Sequence, residues 1–399
     1  MAQAVPLVTR ADPTVGGRTL TEGYLSQPIV MTHAAWHDWR GIATLNFEAL
    51  TLNRGELNTG GFGEGYIDRR HPHSYVHELL AGWEKSDTAR WATSTFAGRG
   101  FVPFGSDDPM VRPFVKYPIN HHLSQVLERV EVVGAVRYGR VIGEFATFNG
   151  DEPLAPGTVP EYKRFGDSWS TRLTVLPITG LELSGSFAKV ASPEVRAGAG
   201  LDAHKTSLVA RYDRQSSNAR IYGLAEWART NELDSGDLVT QLSSFLAEGS
   251  LCRSGVIVAG RVERTDRPEE ETSLDPFRSI RPATDLHNLG VSRWTTFTGA
   301  LIAPKIGAEW ISGRPFVEVE RLGAAAGNPP GLFSAVARYG ASHMWMLSAG
   351  VRFSVGSMHD MRMGRYGAAV PPTSPMESMA PMAGMHGMTH QPNNDRCSL

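Results

Sequence analysis

No run of apolar residues in this chain approaches the ~18 that a membrane-spanning helix requires, although there are 399 residues in which to place one. That lack excludes a helical membrane protein, and the mean hydropathy of −0.23 agrees. Charge is scarce too: Asp, Glu, Lys and Arg make up 20% of the residues and nearly cancel, to a net −2. Such a balance gives no pull toward nucleic acid. Cysteine is almost missing. Cys252 and Cys397 are the two present, and they suggest neither a disulfide framework nor a metal-ligand spacing. A full secretory leader is also lacking, because Met1 to Ala4 has no basic region and no apolar core. Ala2, Gln3 and Ala4 resemble the small-residue end of a cleavage site, so the sequence is expected to begin just before the mature terminus.

What the chain does have is a two-residue alternation. From His343 to Val355, the residues His343, Trp345, Leu347, Ala349, Val351, Phe353 and Val355 share one face of an extended strand. The other face carries Met344, Met346, Ser348, Gly350, Arg352 and Ser354. One side is large and apolar, the other small or polar, as in a strand between two media. The same pattern recurs from residue 40 onward, for example where Leu181, Leu183 and Phe187 alternate with Glu182, Ser184 and Ser186. It predicts about 14 strands, each of about 10 residues or more, near the length that crosses a bilayer at a tilt. They fall near 40–53, 75–86, 89–101, 122–138, 139–150, 167–177, 180–190, 203–213, 218–230, 240–251, 253–266, 289–302, 305–321 and 343–355.

The connections carry more information than any one strand. Short turns near 86–88, 138–140, 177–180, 214–217, 249–252 and 303–305 alternate with longer loops at 54–74, 102–121, 151–166, 191–202, 231–239, 267–288 and 322–342. Short turns at one end and long loops at the other describe an antiparallel transmembrane β-barrel. A propeller should show a repeat of about 40 residues, and none is visible. The domain reading is therefore an N-terminal arm or plug over 1–39, a barrel over 40–356, and a disordered, Met/His-rich tail over 357–399. In that barrel the strand at 343–355 closes against the first one near 40–53, and loop 102–121 or the arm could fill the lumen.

Inward positions of the barrel would line a pore and set its selectivity. The alternation places Glu128, Arg172, Lys205, Arg220, Glu226, Arg261, Glu318 and Arg352 among them, with Glu128 in conflict, since it shares a face with Val126 and Val130. Imidazoles cluster at His71, His73 and His77 and again at His121 and His122, beside long loops at one end, where they could hold Zn or Cu. The alternative is a hydrogen-bonded loop network, because no HExxH or CxxC spacing accompanies them. In the tail, Met358, His359, Met361, Met385, His386, Met388 and His390 offer soft donors that suit Cu(I). Pairings such as His73 with Ser74, or Asp108 with His122, are too generic to predict catalysis, and a rim hydrolase is the weakest reading.

Asp68 to His73, Phe104 to Pro109, Asn120 to His122 and Phe148 to Pro153 together resemble a group of porin-like outer-membrane barrel proteins of Gram-negative bacteria. The resemblance covers mainly residues 65–155; the group commonly has an acidic residue where this chain has Ser74. It implies a location in the outer membrane, assembly by the barrel-assembly machinery, contact with outer-membrane lipid and passage of small solutes or ions. It also implies a link to heavy-metal handling in some relatives. Nucleic acid and enzymatic turnover are not expected, and a homo-oligomer is compatible with the resemblance.

Overall fold

A computed structural model describes residues 1–52, 56–58, 74–88, 90–153, 155–216, 219–270, 288–308, 310–328, 334–356, 362–372 and 397. The strands, in chain order, are β1 (Ala2–Asp12), β2 (Leu20–Trp36), β3 (Trp39–Asn46), β4 (Val76–Thr88), β5 (Trp91–Gly100), β6 (Arg129–Tyr138), β7 (Val141–Phe148), β8 (Ser168–Val175) and β9 (Leu181–Val190). They continue as β10 (Asp202–Gln215), β11 (Ala219–Asp234), β12 (Asp237–Arg253), β13 (Val256–Glu270), β14 (Asn288–Ile302), β15 (Ile306–Gly307), β16 (Ile311–Ala326) and β17 (His343–Val355). All belong to one sheet of 17 strands. The two-residue β15 is a stub on β16, while β14 pairs with β16 directly. Setting the stub aside leaves 16 antiparallel strands that close into a barrel through β1 and β17.

Two expectations are corrected here. Residues 1–39 are not an arm or plug, because β1 and β2 are strands of the wall. The closing strand β17 accordingly pairs with β1, Ala2 opposite Val355 and Asp12 opposite Trp345, and not with the strand near residues 40–53. The missed pair has a physical cause. Pro6 falls inside β1, where the ladder with β17 skips Val5 and Pro6, and a proline argues against a strand. In β2, Gln27 takes a left-handed φ of 51°, and the register with β1 shifts between Gln3 and Val5. A bulge of this kind breaks the period that makes a strand visible.

The other 14 spanning strands coincide with those predicted, to within a few residues at most ends. One connection does not. The expected long loop over 231–239 is a two-residue turn, Ser235 and Gly236, both at positive φ (51° and 98°) as a tight hairpin requires.

The wall sorts its residues by face. In β17, Trp345, Leu347, Phe353 and Val355 are exposed, while Met344, Met346, Ser348 and Arg352 are buried. The apolar face therefore points outward around the barrel, with Leu79, Phe145, Leu173, Leu208, Phe245, Val258, Phe297 and Val317 also exposed. Aromatics gather at both ends of this band. Trp36, Trp39, Trp91, Tyr138 and Trp310 stand exposed beside the short turns, and Tyr162, Phe165, Trp169 and Trp345 toward the long loops. An apolar belt edged by aromatic girdles is the surface of a membrane barrel. No helix among the described residues is long and apolar enough to cross a membrane.

The inside is filled. The connection 101–128 between β5 and β6 folds into the barrel, and nearly all of it is buried. Phe104 packs with the wall residues Phe96, Val133, Phe148 and Val190. Gly105 marks how close the chains come: a Cβ there would lie 1.7 Å from the carbonyl oxygen of Ser124. The reading of 357–399 as a disordered tail is corrected at one segment. Residues 362–372 are ordered, with Met363, Arg365, Tyr366, Ala368 and Ala369 buried in the barrel, and Tyr366 packs in the same apolar cluster as Phe104. Cys397 forms a disulfide with Cys252 of β12, a pairing not expected from two cysteines that suggested no disulfide framework. Residues 357–361 and 373–396 lie outside the described residues.

Candidate permeation pathway

Strand parity puts one row of polar side chains per strand inside the wall, and the filling segments are held by those rows. Glu318 of β16 accepts from the backbone N–H of Val115 (3.0 Å) and of Lys116 (3.1 Å). Glu263 of β13 accepts from the N–H of Ile119 (2.8 Å), and Glu226 of β11 from the side-chain amide of Asn120 (2.9 Å). Donors hold the carbonyls of the same loop. Arg352 reaches the carbonyl oxygens of Arg112 and Phe114, both at 3.1 Å. Arg261 donates to Lys116 O (2.8 Å) and Lys205 to His122 O (2.6 Å). The Arg261 guanidinium also stacks on the Phe114 ring, 4.4 Å from its centroid. Charge-assisted bonds to backbone groups supply partners that a buried irregular segment must otherwise lack.

A second set of contacts surrounds the C-terminal segment. Arg362 pairs with Asp107 (2.6 Å) and with Glu182 of β9 (2.8 Å). Arg365 donates to Glu144 of β7 (3.0 Å), which also receives Arg172 of β8 in a two-pronged bond of 2.7 and 2.6 Å. The Tyr366 hydroxyl donates to Glu78 of β4 (2.9 Å) and accepts from Phe101 N (2.8 Å). The charges compensate one another closely, as buried ions must. Burial alone would raise the Asp107 carboxyl, but Arg362, Arg211 and Arg365 hold it well below the ordinary carboxylate range. Burial would likewise lower the Lys116 ammonium, yet Glu56 and Tyr24 beside it hold it above the usual lysine value.

Of the residues singled out in the sequence, Arg172, Lys205, Arg220, Glu226, Arg261, Glu318 and Arg352 lie on the inner face of their strands. Arg220 forms a two-pronged pair with Asp213 at 2.9 and 2.7 Å, near the short-turn end. Glu128 is inside as well, but it precedes β6 in the loop, at a φ of 58°. That left-handed turn explains why its parity with Val126 and Val130 misleads. Glu128 accepts from Ser74 N (3.0 Å) and binds Nδ1 of His77 (2.5 Å).

The histidines are not assembled into a metal centre among the described residues, where no group of three or more His, Cys, Asp or Glu side chains is arranged to hold an ion. His77 packs its ring on Phe101 and binds Glu128. His121 and His122 are neighbours on a one-turn helix, α1 (His121–Ser124), where His121 Nδ1 faces Pro118 O at 3.0 Å. His71, His73, Met358, His359, Met361, Met385, His386, Met388 and His390 lie outside the described residues. For the hydrolase pairings, the Asp108 carboxylate caps Met110 N (2.8 Å), and the Ser74 hydroxyl accepts from Arg99 (2.5 Å).

The pore-lining candidates left out Glu78, Glu144, Glu182, Glu263 and Glu320, although the same inward parity marks them. They also left out Arg362, Arg365 and Tyr366, whose signal was three large polar groups within five residues of a tail read for its methionines.

No family model matches the sequence, and no curated protein matches it. Solved structures do. An anion-selective porin from Comamonas acidovorans superposes with a TM-score of 0.50 at 10% identity, covering 89% of this chain and 98% of that one. OmpF of Salmonella typhi gives a TM-score of 0.47 at 10% identity, with 88% and 96% covered. The chain thus has the fold of a porin-like outer-membrane barrel, with 16 spanning strands and one stub rather than about 14.

Proposed function

We propose that this protein is a porin-like channel of the Gram-negative outer membrane that passes small solutes or ions through a constricted lumen. Its supports are the outward apolar belt, the barrel fold and, above all, the charged inner wall. Charged rows such as Arg172, Lys205, Glu226, Arg261, Glu318 and Arg352 flank the inward loop 101–128, so a solute crossing the barrel meets fixed charges of both signs. Much of that charge is engaged with the loop and with residues 362–372, which narrow the lumen. Barrel-assembly machinery and outer-membrane lipid are the partners this reading implies, and association of several copies is compatible with it. Reconstitution of the full chain in planar bilayers tests the proposal. Small, discrete ion conductances support it. A barrel that inserts yet conducts neither ions nor small sugars overturns it in favour of a sealed barrel.

A further inference from the structure

The outer face of the wall is not uniform at the long-loop rim. On one side of the barrel six of the nine spanning strands carry an outward cation toward this rim: Lys189 on β9, Arg229 on β11, Arg264 on β13, Arg293 on β14, Arg321 on β16 and Arg10 on β1, whereas β10, β12 and β17 carry no Lys or Arg there. Their register keeps them close to one level. Arg264 lies opposite Phe245, Arg293 opposite Asp266, and Arg321 opposite both Phe297 and Trp345. On the other side, the corresponding outward positions include Leu45, Ala97, Val132, Phe145 and Trp169, and the cation of that row, Arg99 at the end of β5, is turned to Ser74 and Glu128. From that side an aromatic row of Phe145, Trp169 and Phe187 runs onto β9, with ring centroids 6.4 and 5.3 Å apart.

Any barrel can place a stray arginine at the membrane edge and let it snorkel. Six such cations on one half, against Arg99 alone on the other, need a further reason. Arg293 pairs with Asp266 at 2.8 Å. Arg229 lies over Trp227 and Arg321 over Trp345, at 5.3 and 5.8 Å from the ring centroids. Those stacks orient each guanidinium and leave its N–H donors to bind elsewhere. Like charges set side by side repel unless anions lie between them. The belt is continuous with the lipid-facing apolar band, so the molecules that reach it are those whose tails lie against that band. Guanidinium groups match phosphate oxygens in charge and geometry.

From this arrangement we infer that the β9–β1 half of the long-loop rim binds the phosphate-bearing headgroups of anionic lipids and holds a lipid annulus on that side alone. The test uses the full chain in phosphatidylcholine nanodiscs containing a minor fraction of spin-labelled phosphatidic acid. The native protein should immobilise labelled phosphatidic acid several-fold more than labelled phosphatidylcholine. Combining Arg229→Gln, Arg264→Gln and Arg321→Gln should abolish that preference, and the three Lys replacements should retain most of it. A heat-modifiable electrophoretic shift establishes that each variant is a folded barrel. The inference fails if the native chain shows no preference, or if the Gln variant keeps it. It also fails if the Gln variant loses the preference only by losing self-association, which would make this face a contact between copies. None of these outcomes depends on whether the lumen conducts.

Discussion

The two segments that fill the barrel are held by opposite kinds of chemistry. Loop 101–128 is gripped largely by its backbone: wall carboxylates take its N–H groups and wall cations take its carbonyls. Residues 362–372 are gripped largely by their own side chains, with Arg362, Arg365 and Tyr366 reaching Asp107, Glu182, Glu144 and Glu78. The first arrangement depends on the wall more than on the loop's side chains, apart from positions such as Gly105, where a Cβ would meet Ser124 O at 1.7 Å. The second depends on three residues of the segment. The hold on the loop is therefore spread over the wall, whereas a few substitutions would release the segment.

Substitutions should separate the two, beginning with the segment. Arg362→Ala leaves Asp107 and Glu182 buried with Arg211 as their main remaining partner, and losing one member of a buried ion pair costs about 3–5 kcal/mol. Undocking of residues 362–372 should then appear as a clear rise in single-channel conductance and as new protease cleavage near residue 365. Unchanged conductance and protection would mean that the segment does not narrow the path. For the loop, Glu318→Ala orphans two amides at about 1–3 kcal/mol each. Amide exchange at Val115 and Lys116 should accelerate while residues 362–372 stay docked, and Glu318→Gln should have the smaller effect. If both segments loosen together, they form one unit and the distinction fails.

Acid should act weakly. A carboxyl with a lowered pKa contributes stability that is fully present above its ordinary value and lost as the pH falls through the lowered one. For Asp107 the docked segment should therefore persist from neutral pH to about 4 and loosen only in stronger acid. A conductance step near neutral pH would exclude Asp107 as its origin. The smallest effect is expected from Cys252→Ser. Residues 362–372 keep their own ion pairs, so conductance should barely change while the chain end becomes accessible to protease.

The difference between the segments also explains what could be read from the residues alone. Alternation between lipid and interior is written in side chains, so strands such as β17 and the inward placement of Arg352 and Glu318 were legible. It failed where the backbone departs from the period: at Pro6, at the Gln27 bulge and at the left-handed turn of Glu128. The inward fold of the loop left little trace, because its bonds run to amides and carbonyls that every residue carries. The C-terminal segment was legible in principle. The methionines and histidines on either side of it drew the reading toward metal, while Arg362 and Arg365 carried the information.

The disulfide also constrains the order of assembly. Cys252 faces the interior, one residue before the end of β12 and beside the Ser254–Gly255 turn. Its partner lies 145 residues further on, after every strand of the second half has been laid down. Once the bond forms, β13 to β17 and the tail make a closed covalent ring, and residues 362–372 of that ring lie inside the barrel that those strands help to enclose. The two thiols meet on the interior side of β12, so their oxidation follows the arrival of Cys397 inside the barrel.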